Sequence, residues 1–361
     1  MTEPRVLIMA GGTGGHVFPA LAVAERLQQR HVAVAWLGTA KGIENTVVPA
    51  AGLTLHRLTV TGVRGKSGMT RILAPWFIVQ SIWQAWRLIQ QLKPQAVLGM
   101  GGYASGPGGI AAWLSRVPLI IHEQNAVAGT TNRLLSRFAR TVLSAFPRAF
   151  GPDVAAQVVG NPVRAELCDV ASPVQRGLGM KKPYRLLVLG GSQGALAINQ
   201  CVPKALALLA EDERPQVLHQ CGAVHLAATE QAYAEANVVA QVTPFIDDMG
   251  AALLNADAVV ARAGALTVAE IAAVGLGSIL IPFPHAIDDH QTANAQTLAD
   301  IGAATLLQQD KMTPDTLARA LEELLQHETL LNRAAAARAA GMPEATERVV
   351  RELEKYMGEK A

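Results

Sequence analysis

Short apolar runs that do not alternate with polar residues recur along the chain, each closed by a glycine-rich turn and followed by helical spacing. Arg5-Val-Leu-Ile-Met-Ala10 runs into Gly11-Gly-Thr-Gly-Gly-His16, and 179 residues later Arg185-Leu-Leu-Val-Leu189 runs into Gly190-Gly-Ser-Gln-Gly-Ala195. Helices are predicted to follow over 17–29 and 196–209. Further strands are expected at 32–37, 96–100, 118–122 and 141–143, then at 216–219, 238–241, 258–261 and 278–282. Unbroken apolar strands joined through helices indicate parallel sheets covered on both faces. Because the opening βα unit occurs twice, the expected fold class is α/β with two Rossmann-like domains. The first is expected over 1–162 and the second over 163–342, with the linker inside 151–180. The Ala-rich segment 333–340 reads as helix, and an amphipathic helix over 344–357 follows Pro343. That tail, 343–361, is able to pack back on the first domain.

The length of 361 residues fits about two domains. A chain that is 50% hydrophobic and 17% charged is not a disordered one. Cys168, Cys201 and Cys221 have no paired spacing, which excludes a disulfide framework and argues against a cysteine-ligated metal. Only five apolar residues, Val6 to Ala10, precede the first glycines, so no secretory signal is expected. The uncharged stretch 96–114 is long enough to imitate a membrane span. Its seven Gly or Pro residues divide it into strand, loop and helix instead.

Charge separates the two halves. Residues 1–162 carry 15 Lys/Arg against 5 Asp/Glu, a balance of +10, whereas 163–361 carry 16 against 24, or −8. No carboxylate lies between Glu44 and Glu123, a segment that holds Arg57, Arg64, Lys66, Arg71, Arg87, Lys93 and Arg116. Phospholipid, a diphosphate substrate or nucleic acid are the anionic partners such a half would attract.

Glycine turns at the ends of parallel strands let backbone N–H groups and a helix N-terminus approach an anion. Four such turns are present: 11–15, 101–109, 190–194, and Gly264-Ala-Leu-Thr267. Singly, each is equally a tight strand-to-helix connection; four in two domains point to phosphates held between the domains. No Gly-x-x-x-x-Gly-Lys-Ser/Thr is present, which argues against a P-loop nucleotidase. Neither opening loop is Gly-x-Gly-x-x-Gly, and the second strand ends at Trp36-Leu37-Gly38-Thr39 without a carboxylate for a ribose, which argues against hydride transfer. Without an Asp-x-Asp pair, no metal and no cofactor are expected. Backbone donors and arginine would carry the phosphate charge. His285, Asp288, Asp289 and His290 have no ligand spacing.

The motifs Met9-Ala-Gly-Gly-Thr-Gly-Gly-His16, Gly99-Met-Gly-Gly-Tyr-Ala-Ser-Gly-Pro107, His122-Glu-Gln-Asn125, Gly160-Asn-Pro-Val-Arg164, Phe245-Ile-Asp-Asp-Met249 and Arg262-Ala-Gly-Ala-Leu-Thr-Val-Ala-Glu270 resemble those of the MurG family of bacterial glycosyltransferases. The resemblance is collinear over nearly the whole chain. It implies the two-domain GT-B fold with the active site in the interdomain cleft. It also implies transfer of N-acetylglucosamine from UDP-N-acetylglucosamine to undecaprenyl-diphospho-N-acetylmuramoyl-pentapeptide, with inversion. Donor contacts would fall on Thr13, Gly14, Gly15, Asn125, Arg164, Ser192, Ile246, Ala265, Leu266, Thr267, Val268, Ala269, Glu270 and Gln291. Gly101, Gly102, Tyr103 and Ser105 would form the acceptor and phosphate loop.

The residue chemistry suits these roles. Glu270, on the helix that Gly264 opens, can accept ribose hydroxyls, or simply favour a first turn. Arg164 can offer paired donors, and Asn125 and Gln291 suit hydroxyl and acetamido groups. Ser192 can donate to phosphate. His16 closes the first loop either as general base or as phosphate donor, with His122 and Glu123 as further catalytic candidates. A Trp-rich helix over 73–89, flanked by Arg64, Lys66 and Arg71, reads as core or as an interfacial element with Ile72, Trp76 and Phe77 outward. Expected partners are therefore the two substrates and an anionic membrane surface, at the cytoplasmic face of the inner membrane, with other wall-synthesis or division proteins and no nucleic acid. A UDP-N-acetylglucosamine 2-epimerase and a non-catalytic nucleotide-sugar sensor are the alternatives.

Overall fold

The computed structural model describes residues 6–59, 68–191 and 194–357, without the side chains of 68–74 and 287. It divides into two compact units, residues 1–163 with 344–361, and residues 164–343.

The first unit runs β1 (Val6–Met9), α1 (Gly14–Gln29), β2 (Val34–Thr39), α2 (Glu44–Ala50), β3 (Thr54–Leu58), α3 (Gly68–Leu92), β4 (Ala96–Gly99), α4 (Ser105–Leu114), β5 (Leu119–Glu123), α5 (Thr130–Leu135), β6 (Thr141–Ser144) and β7 (Gln157–Val158). Its strands form one parallel sheet in the order β3-β2-β1-β4-β5-β6-β7. Strands β1, β4, β5 and β6 are buried at every position, as unbroken apolar runs between two helical layers require. The stretch 96–114 is indeed strand, loop and helix. Among the described residues no helix is long and apolar enough to cross a membrane.

The second unit runs β8 (Arg185–Leu189), α6 (Leu196–Ala207), β9 (Gln216–Gln220), α7 (Leu226–Glu235), β10 (Ala240–Thr243), α8 (Met249–Asn255), β11 (Ala258–Ala261), α9 (Ala265–Val274), β12 (Gly277–Leu280), α10 (His290–Ala299), β13 (Ala304–Leu306), α11 (Pro314–Leu324) and α12 (His327–Ala340). Its sheet is also parallel, in the order β10-β9-β8-β11-β12-β13. Buried Asp257 fastens the amino end of this sheet by accepting from Arg185 Nε and Nη2 (both 3.1 Å) and from Arg185 N (2.8 Å). The last described element, α13 (Ala345–Met357), belongs to the first unit.

Three strands lay outside the sequence expectation: β3 and β13, which are edge strands, and the two-residue β7. The edge strands are half exposed, so their apolar content is diluted. The expected strand at 238–241 begins two residues late, because Asn237 adopts φ 52° and Val239 points into solvent.

Helix α13 buries Val349, Val350 and Leu353 in the core that α1 shares with β1 and β4. Above that stripe, Arg30 donates to Glu354 (2.7 and 2.8 Å) and Glu347 (2.5 Å), and Arg26 pairs with Glu347. These half-exposed pairs set the register of the contact more than they stabilise it. The apolar stripe supplies the stability. Leu353→Ala should therefore cost about 2–5 kcal/mol. A urea midpoint equal to that of the unaltered protein would contradict this account of the tail.

Candidate active site

All four glycine turns lie at carboxyl ends of strands, where backbone amides emerge from a parallel sheet. In the first, Thr13 is an extended N-cap (φ −107°, ψ 159°), and its carbonyl accepts from the N–H groups of His16 and Val17, both at 3.2 Å. His16 is half-buried, with Nδ1 3.5 Å from the Thr13 hydroxyl. The second turn packs on it. A Cβ at Gly101 would lie 2.9 Å from the His16 ring, and one at Gly102 would lie 2.4 Å from Gly11 O. Both glycines have positive φ, 94° and 82°. Buried Ser105 reaches Met9 O (2.9 Å) and Gly101 O (2.7 Å) from the start of α4, while Tyr103 stands out exposed.

His122 and Glu123, at the end of β5, are buried and hydrogen-bonded within the protein. Nε2–H of His122 donates to Gly160 O (2.9 Å), and its Nδ1 accepts from Gln124 Nε2 (3.2 Å). Burial pushes this imidazole down to about 4, so it is neutral and spent. Glu123 accepts from Asn125 N (2.9 Å) and Nδ2 (3.1 Å), Gly129 N (3.1 Å) and Asn132 Nδ2 (2.9 Å). Its four bonds shape the loop and orient the half-buried Asn125 amide. A base needs a ring or carboxylate that a substrate hydroxyl can reach.

In the second unit, Ser192 lies outside the described residues; the flanking Gly190 and Gly191 are held by Gln220, through O accepting from Gly190 N (3.1 Å) and Nε2 donating to Gly191 O (2.9 Å). Helix α9 begins at Ala265, directly after Gly264, with no side-chain cap on its first amides. Ala265, Leu266 and Val268 pack inward, and Thr267 and Ala269 are half-buried. Glu270, only 4% exposed, forms an ion pair with Arg164, 106 residues earlier, so the two side chains are one unit. Ile246 is half-buried in the segment after β10, which Asp248 closes by capping α8 through Ala251 N (2.8 Å). Gln291 Oε1 accepts from Phe283 N (2.9 Å) and so holds the loop before α10. Arg262, unremarked in the sequence except as part of a motif, braces that loop by donating to Ile281 O (3.2 Å) and Pro282 O (3.0 Å) and lying over the Phe283 ring.

On α3, Trp76 is 68% exposed and Trp83 52% exposed, with Trp86 also outward and Phe77 half-buried. Arg64 and Lys66 lie outside the described residues, as do the side chains of Arg71 and Ile72. Trp113 and Leu114 of α4, which packs beside α3, are also exposed.

Residues 6–144 match the glycosyltransferase family 28 N-terminal domain, and 185–349 match the corresponding C-terminal domain. The chain belongs to glycosyltransferase family 28. Family 28 membership is joined by close curated relatives. A UDP-N-acetylglucosamine--N-acetylmuramyl-(pentapeptide) pyrophosphoryl-undecaprenol N-acetylglucosamine transferase of Chromohalobacter salexigens is 54% identical, covering 96% of this chain and 95% of its own length. One of the same name from Pseudomonas fluorescens is 55% identical, covering 96% and 97%. Among solved structures, MurG of Acinetobacter baumannii is 43% identical with TM-score 0.85, covering 98% and 99%. A UDP-N-acetylglucosamine 2-epimerase superposes at TM-score 0.66 but is 15% identical, a likeness of fold alone.

His122 and, in the second unit, His219 share a thermodynamic consequence. His219 is buried between Tyr233 and Asn199, and its imidazole is also pushed down to about 4 by desolvation. The unfolded chain takes up a proton near pH 6.5, which neither folded site accepts until about 4, so their contribution is complete above 6.5 and is lost as pH falls towards 4. Each loss amounts to about 3 kcal/mol at most. Denaturant titrations from pH 7 to 4.5 should show this fall, and His122→Leu should flatten it; an unchanged slope would refute the assignment.

Proposed function

We propose that this chain is an inverting hexosyltransferase that moves N-acetylglucosamine from UDP-N-acetylglucosamine to the C4 hydroxyl of N-acetylmuramic acid in undecaprenyl-diphospho-N-acetylmuramoyl-pentapeptide. The observation that carries this reading is the 54–55% identity, over nearly full length, to relatives that bear the name of that activity. The acceptor oxygen bonds to the anomeric carbon, the bond from that carbon to the UDP phosphate breaks, and the hydroxyl proton passes to a base. His16 is the base in this reading, since its ring borders the junction of the two first-unit glycine turns while those of its rivals are consumed. The Gly101–Ser105 turn receives the acceptor, and Asn125, oriented by Glu123, meets sugar hydroxyl or acetamido groups. Thr13, Gly14 and Gly15 approach the donor from the first unit.

In the second unit, the Arg164–Glu270 pair serves the nucleotide. Glu270 takes the ribose hydroxyls, with Arg164 fixing its carboxylate, and the amides of Ala265 to Ala269 face the diphosphate. Ile246 offers backbone to the base, Gln291 meets the sugar, and Ser192 donates to phosphate. The exposed tryptophans of α3, with Trp113 and Leu114 and the cations of the +10 half, dock the first unit on the anionic cytoplasmic leaflet that holds the lipid acceptor. Other wall-synthesis or division proteins are candidate neighbours there.

Incubation with labelled UDP-N-acetylglucosamine and a short-chain lipid acceptor should yield the disaccharide lipid; UDP release without it would overturn the transferase reading. His16→Ala should lower kcat by about 10²–10⁴ with UDP affinity retained. The reverse split would make His16 a binding group. Glu270→Ala should weaken donor binding by about 1–3 kcal/mol and leave the acceptor constant alone. Vesicle binding should favour anionic lipid, weaken with salt and drop in Trp76→Ser with Phe77→Ser; equal binding to neutral vesicles would refute the docking face.

A further inference from the structure

The sequence places no carboxylate at the end of β2, where a dinucleotide-binding fold would keep one for a ribose. The structure supplies one from the start of α2. Glu44 is fully buried. Its Oε2 accepts from Gly12 N (3.0 Å), and its Oε1 accepts from Thr39 N (3.1 Å). The Thr39 hydroxyl donates either to Oε1 (2.7 Å) or to Lys41 O (2.5 Å). Three glycines exist around this side chain. A Cβ on Gly11 would lie 2.6 Å from Oε1, one on Gly42 would lie 2.2 Å from Oε2, and one on Gly38 would lie 2.9 Å from Cγ.

Gly11 and Gly12 belong to the turn read above as an open approach for anions. Gly11 leaves room for a carboxylate of the protein itself, which also consumes the Gly12 amide. From Gly12, with φ 95°, the chain passes through Thr13, the N-cap of α1, to His16 one turn later. Indole Nε1 of buried Trp36 adds a second tie from β2 by donating to Ala10 O (2.9 Å).

We infer that Glu44 is a positioning residue for the transfer reaction: by joining Gly12 to the end of β2 it sets the turn that presents the His16 ring to the acceptor hydroxyl. This rests on the transferase reading and on His16 as its base. Glu44 touches no substrate and acts through Gly12. A misplaced base lowers turnover, whereas UDP, whose base, ribose and diphosphate contacts are all assigned to the second unit, is indifferent to it. The carboxylate is suited to the task because all its neighbours are donors. An amide at position 44 would set its NH2 against either the Gly12 or the Thr39 N–H.

The test compares Glu44→Gln, Glu44→Asp and Glu347→Gln, the last of which breaks an ion pair between α13 and α1 elsewhere in the same unit. Kinetics are measured below the melting transition of each variant. Glu44→Gln should lower kcat with the lipid acceptor by about tenfold or more, with UDP affinity within about twofold of the unaltered enzyme. Amide exchange, read by mass spectrometry without substrate, should quicken over 10–16 and not over β4 or β5. Glu347→Gln should show neither change. If Glu44→Gln fails to fold, Glu44→Asp, which keeps the charge but shortens the reach, should show the same split. Normal turnover and exchange in a folded position-44 variant would overturn the inference, as would equal kinetic losses in Glu347→Gln. An unaltered enzyme that makes no disaccharide lipid would instead overturn the transferase reading itself.

Discussion

Backbone N–H groups at the carboxyl ends of buried parallel strands have to be answered by something, and in the first unit buried carboxylates answer them. Glu44 takes Gly12 and Thr39, and Glu123 takes Asn125 and Gly129. An unanswered amide there would cost on the order of 1–3 kcal/mol, and an unbonded carboxylate more. Each group is therefore tolerable only because of the other. The first-unit loops proposed to meet substrate hang from these pairings.

Glycine in these turns does two kinds of work. At Gly12, Gly101 and Gly102 the backbone has positive φ, which side chains rarely adopt. At Gly11 and Gly38 the constraint is space beside the Glu44 side chain, whereas Gly42 (φ 138°), beside the same side chain, and Gly102, against Gly11 O, meet space as well as conformation. A glycine-rich sequence is thus not in itself a count of sites for phosphate. In the second unit, Gly194 is likewise held by contact, with Cys221 O where its Cβ would stand.

The two units divide the electrostatic labour. The basic first half exposes tryptophan on α3 and α4 and buries two of its five carboxylates, Glu44 and Glu123. The acidic second half keeps its central cations for internal tasks. Arg164 faces Glu270, Arg262 braces the 281–283 segment, and Arg176 caps carbonyls at Leu254 and Val274. These guanidiniums orient groups by paired, directional donors, a service a flexible ammonium performs less well.

The sequence by itself determined the parallel α/β class, the repeated βα opening, the buried central strands and the positions of the glycine turns. Those features are written in local periodicity and in residues with special backbone freedom, which act over a few positions. The half-exposed edge strands β3 and β13 escaped it, because an edge needs no continuous apolar run. Only the tertiary structure decided that Glu44 turns inward beneath Gly12, that Arg164 and Glu270 are partners, that His122 and Glu123 are consumed as supports, and that α13 closes the core of the first unit. A polar side chain's part depends on which donors and acceptors face it once water is gone. That set is assembled from segments up to hundreds of residues apart, so no local pattern encodes it.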